Sequence, residues 1–594
     1  MERKYVILLV VGSSLLLCAG GLAVGLVVGL PRNSALEKPE ATTVVDPGDD
    51  PTTVRPTLGP GGYSHAAVAT DYGPCSEMGR DILQAGGSAV DAAITSTLCL
   101  AVASPQSSGL GGGLFMVIYT AEGATAHAIE SIETAPQASS FDMFVNDTDA
   151  ANYGAKAVAV PSELAGLWAA HQSYGVLPWD RLLAPVIQMA TDGFPLAWHT
   201  EYCLKILEKD FDRWPILREL YTKADGSLVQ EGDIVRAPTG MISTLHAISD
   251  QGASTFFGGE VGQKLVQDIQ DQGGIMTLTD LEEYRVVSHS ALTLSLNSSQ
   301  HQVFSSQLTS SGHLLQFTVN VMDECNMRSV DFSTYEGKLR MYHYFIEAST
   351  FAIGLRLHIG DAGTEEVQKA TEALTSREYA RTICSKINAT YVTYQYGSTY
   401  DTFDDIPTSS SHGRRRRSPT WDIEEEEEDE IFGSRTFSNQ TGFFLNGHMG
   451  NMYYNGRTPA WPANQLGPGK HVMSTMSPSI VTNPDGSVHS IVGSSGGMRI
   501  ISTNAWVILR SLWGSEALSE MIDAPRVYAY RSRSVSKTYY EENFPEDILE
   551  GLRAMGHTMQ QTSSFAAAQG ILREPGVGVY AQSDPRKRGY TAGY

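Results

Sequence analysis

Between Val392 and Glu430 the chain carries a stretch that no folded interior can hold. It combines small polar residues with four consecutive arginines, Arg414 to Arg417, and seven consecutive acids, Glu424 to Glu430. Unpaired charges at this density stay in water, because each would lose its hydration on burial. The block therefore predicts a long exposed loop over about residues 392–430, and any core must be built from the residues on either side. A chain of 594 residues, 42% of them apolar, has ample material for one or two domains.

The N-terminus is set apart in a different way. After Met1-Glu2-Arg3-Lys4, an uncharged run extends from Tyr5 to Leu30, long enough to span a bilayer as a helix. We read residues 1–4 as a cytoplasmic tail and 5–30 as an uncleaved signal anchor. The alternative is a cleaved signal peptide whose apolar part ends near Cys18-Ala19-Gly20-Gly21. Residues 31–62, broken by Pro39, Pro47, Pro51, Pro56 and Pro60, read as a stalk. Both readings send the bulk of the chain into the secretory path, to the outer face of the plasma membrane as a type II protein or into the medium. Sequons at Asn146, Asn297, Asn388 and Asn439 agree with that route as glycosylation sites. A net charge of −24 disfavours nucleic acid as a partner, since such partners select basic stripes.

Within the globular part, short apolar runs alternate with helical patterns. His65 to Thr70 reads as a strand and Met78 to Gln84 as a helix closed by Gly86-Gly87. Strands at Ser479 to Thr482 and Ser487 to Val492 flank the turn Asn483-Pro484-Asp485-Gly486. The texture is α/β, without an internal repeat.

Several longer segments carry more information. Ala85-Gly86-Gly87-Ser88-Ala89-Val90-Asp91-Ala92-Ala93 leads to Ser107-Ser108-Gly109-Leu110-Gly111-Gly112-Gly113-Leu114-Phe115, a helix with a small-residue face followed by a glycine turn into a strand. Val160-Pro161-Ser162-Glu163-Leu164-Ala165-Gly166, Tyr174-Gly175-Val176-Leu177-Pro178-Trp179, Ala190-Thr191-Asp192-Gly193-Phe194 and the terminal Ser583-Asp584-Pro585-Arg586 follow. In this order, over about residues 64–594, the chain resembles the γ-glutamyltransferase (glutathione hydrolase) family. The resemblance implies the αββα four-layer sandwich of the N-terminal nucleophile hydrolases, an α/β (α+β) fold built from two chains cut from one precursor. It implies no cofactor and no metal. In that family a threonine hydroxyl freed by the cut attacks a γ-glutamyl compound such as glutathione, with its own amine as base. The resemblance also implies a Cys75–Cys99 bridge, as in animal relatives, leaving Cys203, Cys325 and Cys384 to contribute at most one more.

The family's requirements can be placed residue by residue. The oxyanion element resembles Gly493-Ser494-Ser495-Gly496-Gly497, where Gly496 and Gly497 would offer N–H groups. Ser474 and Thr475 match the paired hydroxyls near the substrate α-carboxylate, although a Ser/Thr turn before a proline reads equally well. The arginine that precedes Glu-Thr-Ala-Pro in the family is Ile132 here, so a bidentate clamp is replaced by hydrocarbon. The acidic loop Asn-Asn-Glu-Met-Asp-Asp appears as Asn446-Gly447-His448-Met449-Gly450-Asn451, without a carboxylate for the substrate ammonium.

The nucleophile segment departs furthest. Counting back from Phe432-Gly433-Ser434 puts the family's Thr-x-His near Thr408 to His412, with Ser410 as the nucleophile candidate, yet the arginines and acids that follow cannot form a buried strand. The arginines suit a proprotein convertase cutting after Arg417, so that a small chain starts at Ser418; pairing with the acidic run is the rival reading. The expected organisation is a large chain, 63–417, and a small chain, 418–594, held as a heterodimer. The expected function is an extracellular binding protein or effector with lost or weak γ-glutamyl transfer. The alternatives are a glutathione hydrolase using a serine near Ser410, and a secreted toxin-like effector acting on cells.

Overall fold

The computed structural model describes residues 25–26, 61–361, 363–393, 431–457, 461–531, 536–563 and 565–594. The expected cleavage residues Arg417 and Ser418, the candidate nucleophile Ser410 and residues 394–430 lie outside the described residues, as do 1–24 and 27–60. Of the apolar N-terminal run only Gly25–Leu26 is described, paired with Val68 and Ala69. No helix among the described residues is long and apolar enough to cross a membrane.

Alternation along the strands builds four layers. In Leu114–Thr120, Met116 and Ile118 point to one side and Val117 and Tyr119 to the other, as a pleated strand requires. Val117 and Tyr119 meet Phe304, Ile480, Ile491 and Ile571 in the core between two stacked sheets. Met116 and Ile118 instead pack under helices Ala89–Ala103 and Glu163–Tyr174. On the second sheet the same logic sends Val481, Val492 and Leu572 outward, against Gly312–Glu324, Tyr335–Leu355 and Arg499–Trp513. Helices, sheet, sheet and helices follow in that order. The αββα sandwich is thus written in which neighbour of each apolar pair faces which way.

The larger sheet has seven strands, ordered Gly62–Tyr63, Gly578–Ser583, Ala567–Glu574, Val488–Ser495, Ser479–Thr482, Gln302–Ser305 and Leu292–Ser295, all antiparallel. Facing it are Leu114–Thr120, Thr125–Ser131 and Val287–Ser290, together with Ala67–Thr70 paired to Tyr590–Gly593. The first and last parts of the chain therefore share a sheet.

Several element boundaries differ from the sequence reading: the first strand is Ala67–Thr70, starting two residues after His65. The first helix is Gly73–Gln84, five residues longer at its start, because Pro74 sits in the first turn, where its missing N–H costs nothing. The strand after the 483–486 turn runs on to Ser495, past Val492, because Gly493 to Ser495 pair with Ala567 to Gln569.

Candidate active site

The signature helix Ala89–Ala103 is buried along all 15 residues. Its start is fixed by a capping box: Ser88 Oγ accepts from Asp91 N at 3.1 Å, and Asp91 Oδ2 accepts from Ser88 N at 2.7 Å. Asp91 Oδ2 also accepts from Val176 and Leu177 N–H, at 2.9 and 3.1 Å, tying the helix to the Tyr174–Trp179 motif. A Cys75–Cys99 disulfide joins this helix to Gly73–Gln84, and a second bridge links Cys325 to Cys384. Cys203, buried beside His199, takes part in neither bridge.

The glycine turn that follows lets two backbones touch. A Cβ at Gly111 would fall 2.1 Å from the carbonyl oxygen of Phe444, and one at Gly113 would fall 2.6 Å from that of Ser131. Asn446 stitches the same place, donating from Nδ2 to Gly111 O and Ala159 O at 2.8 Å each, and accepting from Ala159 N at 2.9 Å. The 446–451 loop is thereby held over the turn.

Gly496 and Gly497 lie where Val488–Ser495 gives way to the helix Arg499–Trp513, at φ of +136° and +56°. Arg499 and Ile500 donate back to the Gly496 and Gly497 carbonyls at 3.2 and 3.0 Å, so these glycines open the helix and sit at its positive end. A Cβ at Gly496 would meet Ala566 Cα at 2.5 Å. Only glycine fits at Gly496.

Ser474 and Thr475 are both buried. Ser474 N donates to Thr309 O at 3.0 Å, Ser311 Oγ donates to Ser474 O at 2.8 Å, and Ser474 Oγ accepts from Met476 N at 3.2 Å, a local turn. Thr475 Oγ1 has no hydrogen-bond partner among the described residues.

The altered positions form their own environment. Ile132 is 2% exposed and packs in an apolar cluster with Phe115, Phe144, Met449, Val472 and Met476. Beside it, Glu133 meets His448 at 3.1 Å, Oε1 to Nδ1, with both side chains out of water. Glu163 lies close by. Burial first, and the Glu133 carboxylate second, push Glu163 well above the ordinary carboxylate range against the opposing Gly109 N–H. Motif comparison found the changes at Ile132 and His448, but nothing in the sequence pointed to the Glu133–His448 pair or to the raised Glu163 carboxyl. No cluster of three or more His, Cys, Asp or Glu able to hold a metal occurs among the described residues.

The sequons are placed on accessible chain: Asn146, Asn297 and Asn439 are exposed and Asn388 is half-buried.

Residues 75–594 match the Gamma-glutamyltranspeptidase family. Scoloptoxin SSD14 of Scolopendra dehaani is 34% identical over 552 residues, covering 89% of this chain and 92% of that protein. Glutathione hydrolase 2 of Arabidopsis thaliana is 32% identical over 558 residues, covering 89% and 94%. Among solved structures, cephalosporin acylase from Bacillus halodurans superposes with a TM-score of 0.74 at 22% identity, over 93% of this chain and 99% of that one. Helicobacter pylori gamma-glutamyltranspeptidase gives 0.51 at 27% identity, over 56% of this chain and 96% of that one. With its four-layer fold and matched length, this chain belongs to the gamma-glutamyltranspeptidase family.

Proposed function

We propose that this protein is an extracellular, two-chain member of the family that has given up the γ-glutamyl zwitterion as a substrate and works by binding rather than turnover. The observation that carries this reading is the burial of Ile132 among Met449, Val472 and Met476, with the adjacent Glu133 engaged by His448. A substrate carboxylate brought there meets hydrocarbon instead of a guanidinium, and its ammonium finds no carboxylate on the loop 446–451. The charge-rich segment near Ser410 adds to this, since its residues are unsuited to a buried nucleophile strand. Two disulfides and exposed sequons support the extracellular site, and relatives named as proenzymes, such as glutathione hydrolase 5 proenzyme of Rattus norvegicus, support processing to two chains.

The intact Gly496-Gly497 turn favours the competing reading, a glutathione hydrolase with Ser410 as nucleophile. The likeness to a scoloptoxin supports an effector role for the binding protein. Purified secreted protein incubated with γ-glutamyl-p-nitroanilide should release no p-nitroaniline above buffer, and titration with glutathione should give no heat of binding. Turnover that disappears in Ser410→Ala would establish the hydrolase instead.

A further inference from the structure

Residues 388–393 link the helix Arg377–Lys386 to the charged block, and they are fastened at several points. His343 Nε2 lies 2.6 Å from Asn388 O, Val392 N donates to Met555 O at 2.8 Å, and Thr393 N donates to Glu347 Oε2 at 3.1 Å. His343 and Glu347 are one turn apart on Tyr335–Leu355, so one helix face catches both ends of the segment. Met555 follows the helix Glu546–Ala554, and His557 comes two residues later with its N–H on Leu552 O at 3.0 Å. His557 Nε2 then sits 2.7 Å from His343 Nδ1, with both side chains buried.

Proton positions follow from the acceptors. Asn388 O can only accept, so His343 carries its proton on Nε2, its Nδ1 accepts, and His557 must donate from Nε2. Two neutral rings satisfy this chain. If both rings were charged, the facing nitrogens would both bear protons at 2.7 Å. Other charges around the pair are committed elsewhere. Glu347 holds Thr393, Glu546 and Arg553 pair with each other at 2.9 Å, and Lys386 ends its helix just before the segment. Tyr344 presents its ring at 5.7 Å from that of His343.

We propose that His343 and His557 form an acid-labile latch that fastens the end of the large chain to the small chain at neutral pH and loosens it in an acidic compartment. The two-chain part of this statement rests on the reading above; the latch itself does not. Burial first, and the neighbouring His343 second, hold His557 down to about 3. An unfolded or opened histidine titrates near about 6.5. The opened form therefore binds more protons between those values, and the latch is intact above pH 6.5 and weakens as pH falls below it. For this one group the opening equilibrium rises about 30-fold from pH 7.4 to pH 5.0.

The test is hydrogen–deuterium exchange of a peptide covering 387–393 in the whole secreted protein, corrected for intrinsic rates, at several values between pH 7.4 and 5.0. Opening about 30-fold more frequent at pH 5.0 is expected, while in His557→Gln, whose amide donates without titrating, the profile should be flat. Equal protection at both pH values in the unaltered protein overturns the proposal without any variant, as does an equal rise in His557→Gln. Failure of the two-chain reading would show separately, as a single band on a denaturing reducing gel.

Discussion

Arg526 and Asp584 meet at 2.7 Å in the interior, neither side chain more than 1% exposed. Asp584 also accepts from Ala568 N at 2.7 Å, from Arg586 N at 3.0 Å and from the Arg586 guanidinium at 2.9 Å. Burial alone would push its carboxyl up, but Arg526, Arg586 and the two backbone N–H groups together hold it below the usual range. Arg526 in turn donates to the carbonyl of Ala566, the residue whose Cα blocks any side chain at Gly496. The terminal Ser-Asp-Pro-Arg motif thus braces the Gly496-Gly497 turn from behind.

Removing one partner should be costly because the other charge stays buried. Asp584→Asn is expected to lower stability by about 3–5 kcal/mol, read from urea unfolding. Arg553→Ala, which breaks the exposed pair with Glu546, should leave the unfolding curve nearly unchanged.

The Cys75–Cys99 bridge spans a sequence separation of 24 and ties the half-buried helix Gly73–Gln84 to the fully buried Ala89–Ala103. Replacing both cysteines with serine should destabilise by about 2–4 kcal/mol. A non-reducing peptide map should recover the Cys75 and Cys99 peptides joined, and the Cys203 peptide in neither bridge.

Glu163 gives a pH test with a definite sign. Its folded carboxyl titrates above its unfolded value, so its stability contribution is complete below the unfolded pKa and is lost as pH rises toward the folded one. Each pH unit inside that window costs about 1.4 kcal/mol. Glu163→Gln should match the unaltered protein near pH 4 and become progressively more stable relative to it as pH rises, measured by thermal melting. A constant difference across pH would show that Glu163 does not titrate on folding.

Restoring the family's charges should not restore turnover. Ile132→Arg places a guanidinium in an apolar cluster and should cost more than about 2 kcal/mol. At Gly450 even a Cβ falls 1.8 Å from Asn152 Oδ1, so an aspartate there must displace that side chain. The combined variant Ile132→Arg, His448→Glu, Gly450→Asp and Asn451→Asp is expected to leave γ-glutamyl-p-nitroanilide intact. Measurable hydrolysis would point to a working nucleophile near Ser410.

The origin of the small chain separates two causes of cutting. Alanine at Arg414 and Arg417 should leave one uncut chain, because a convertase needs the guanidinium groups. Alanine at Thr408, Ser409, Ser410 and Ser411 should leave cutting unchanged, with the small chain beginning at Ser418 by N-terminal sequencing. The reverse pattern would mean self-cleavage by a hydroxyl.

The layers were legible where chemistry repeats at short range. The segment from Ala85 to Phe115 read as a helix with a small-residue face and a glycine turn into a strand, and the structure has Ala89–Ala103 followed by Leu114–Thr120. Boundaries were less legible, because Gly493 to Ser495 have weak strand propensity and are held extended by partners far along the chain. At the site, a missing arginine can be read from a motif by position alone. That Glu133 turns to His448, and that the Glu163 carboxyl is pushed up, depends on side chains brought together by folding, which no local pattern encodes.

The pairing of Tyr590–Gly593 with Ala67–Thr70, extended by His65 N on Tyr594 O at 2.7 Å and Tyr594 N on Ala66 O at 3.1 Å, closes the domain into a ring of connectivity. A ring can be opened anywhere on its surface without losing a strand neighbour. A cut after Arg417, as proposed, and the strand ends that meet at this pairing would then be interchangeable as points of entry. A circularly permuted gene beginning at Ser418, with a short linker carrying Tyr594 on to residue 63, encodes the same sandwich as one uninterrupted polypeptide.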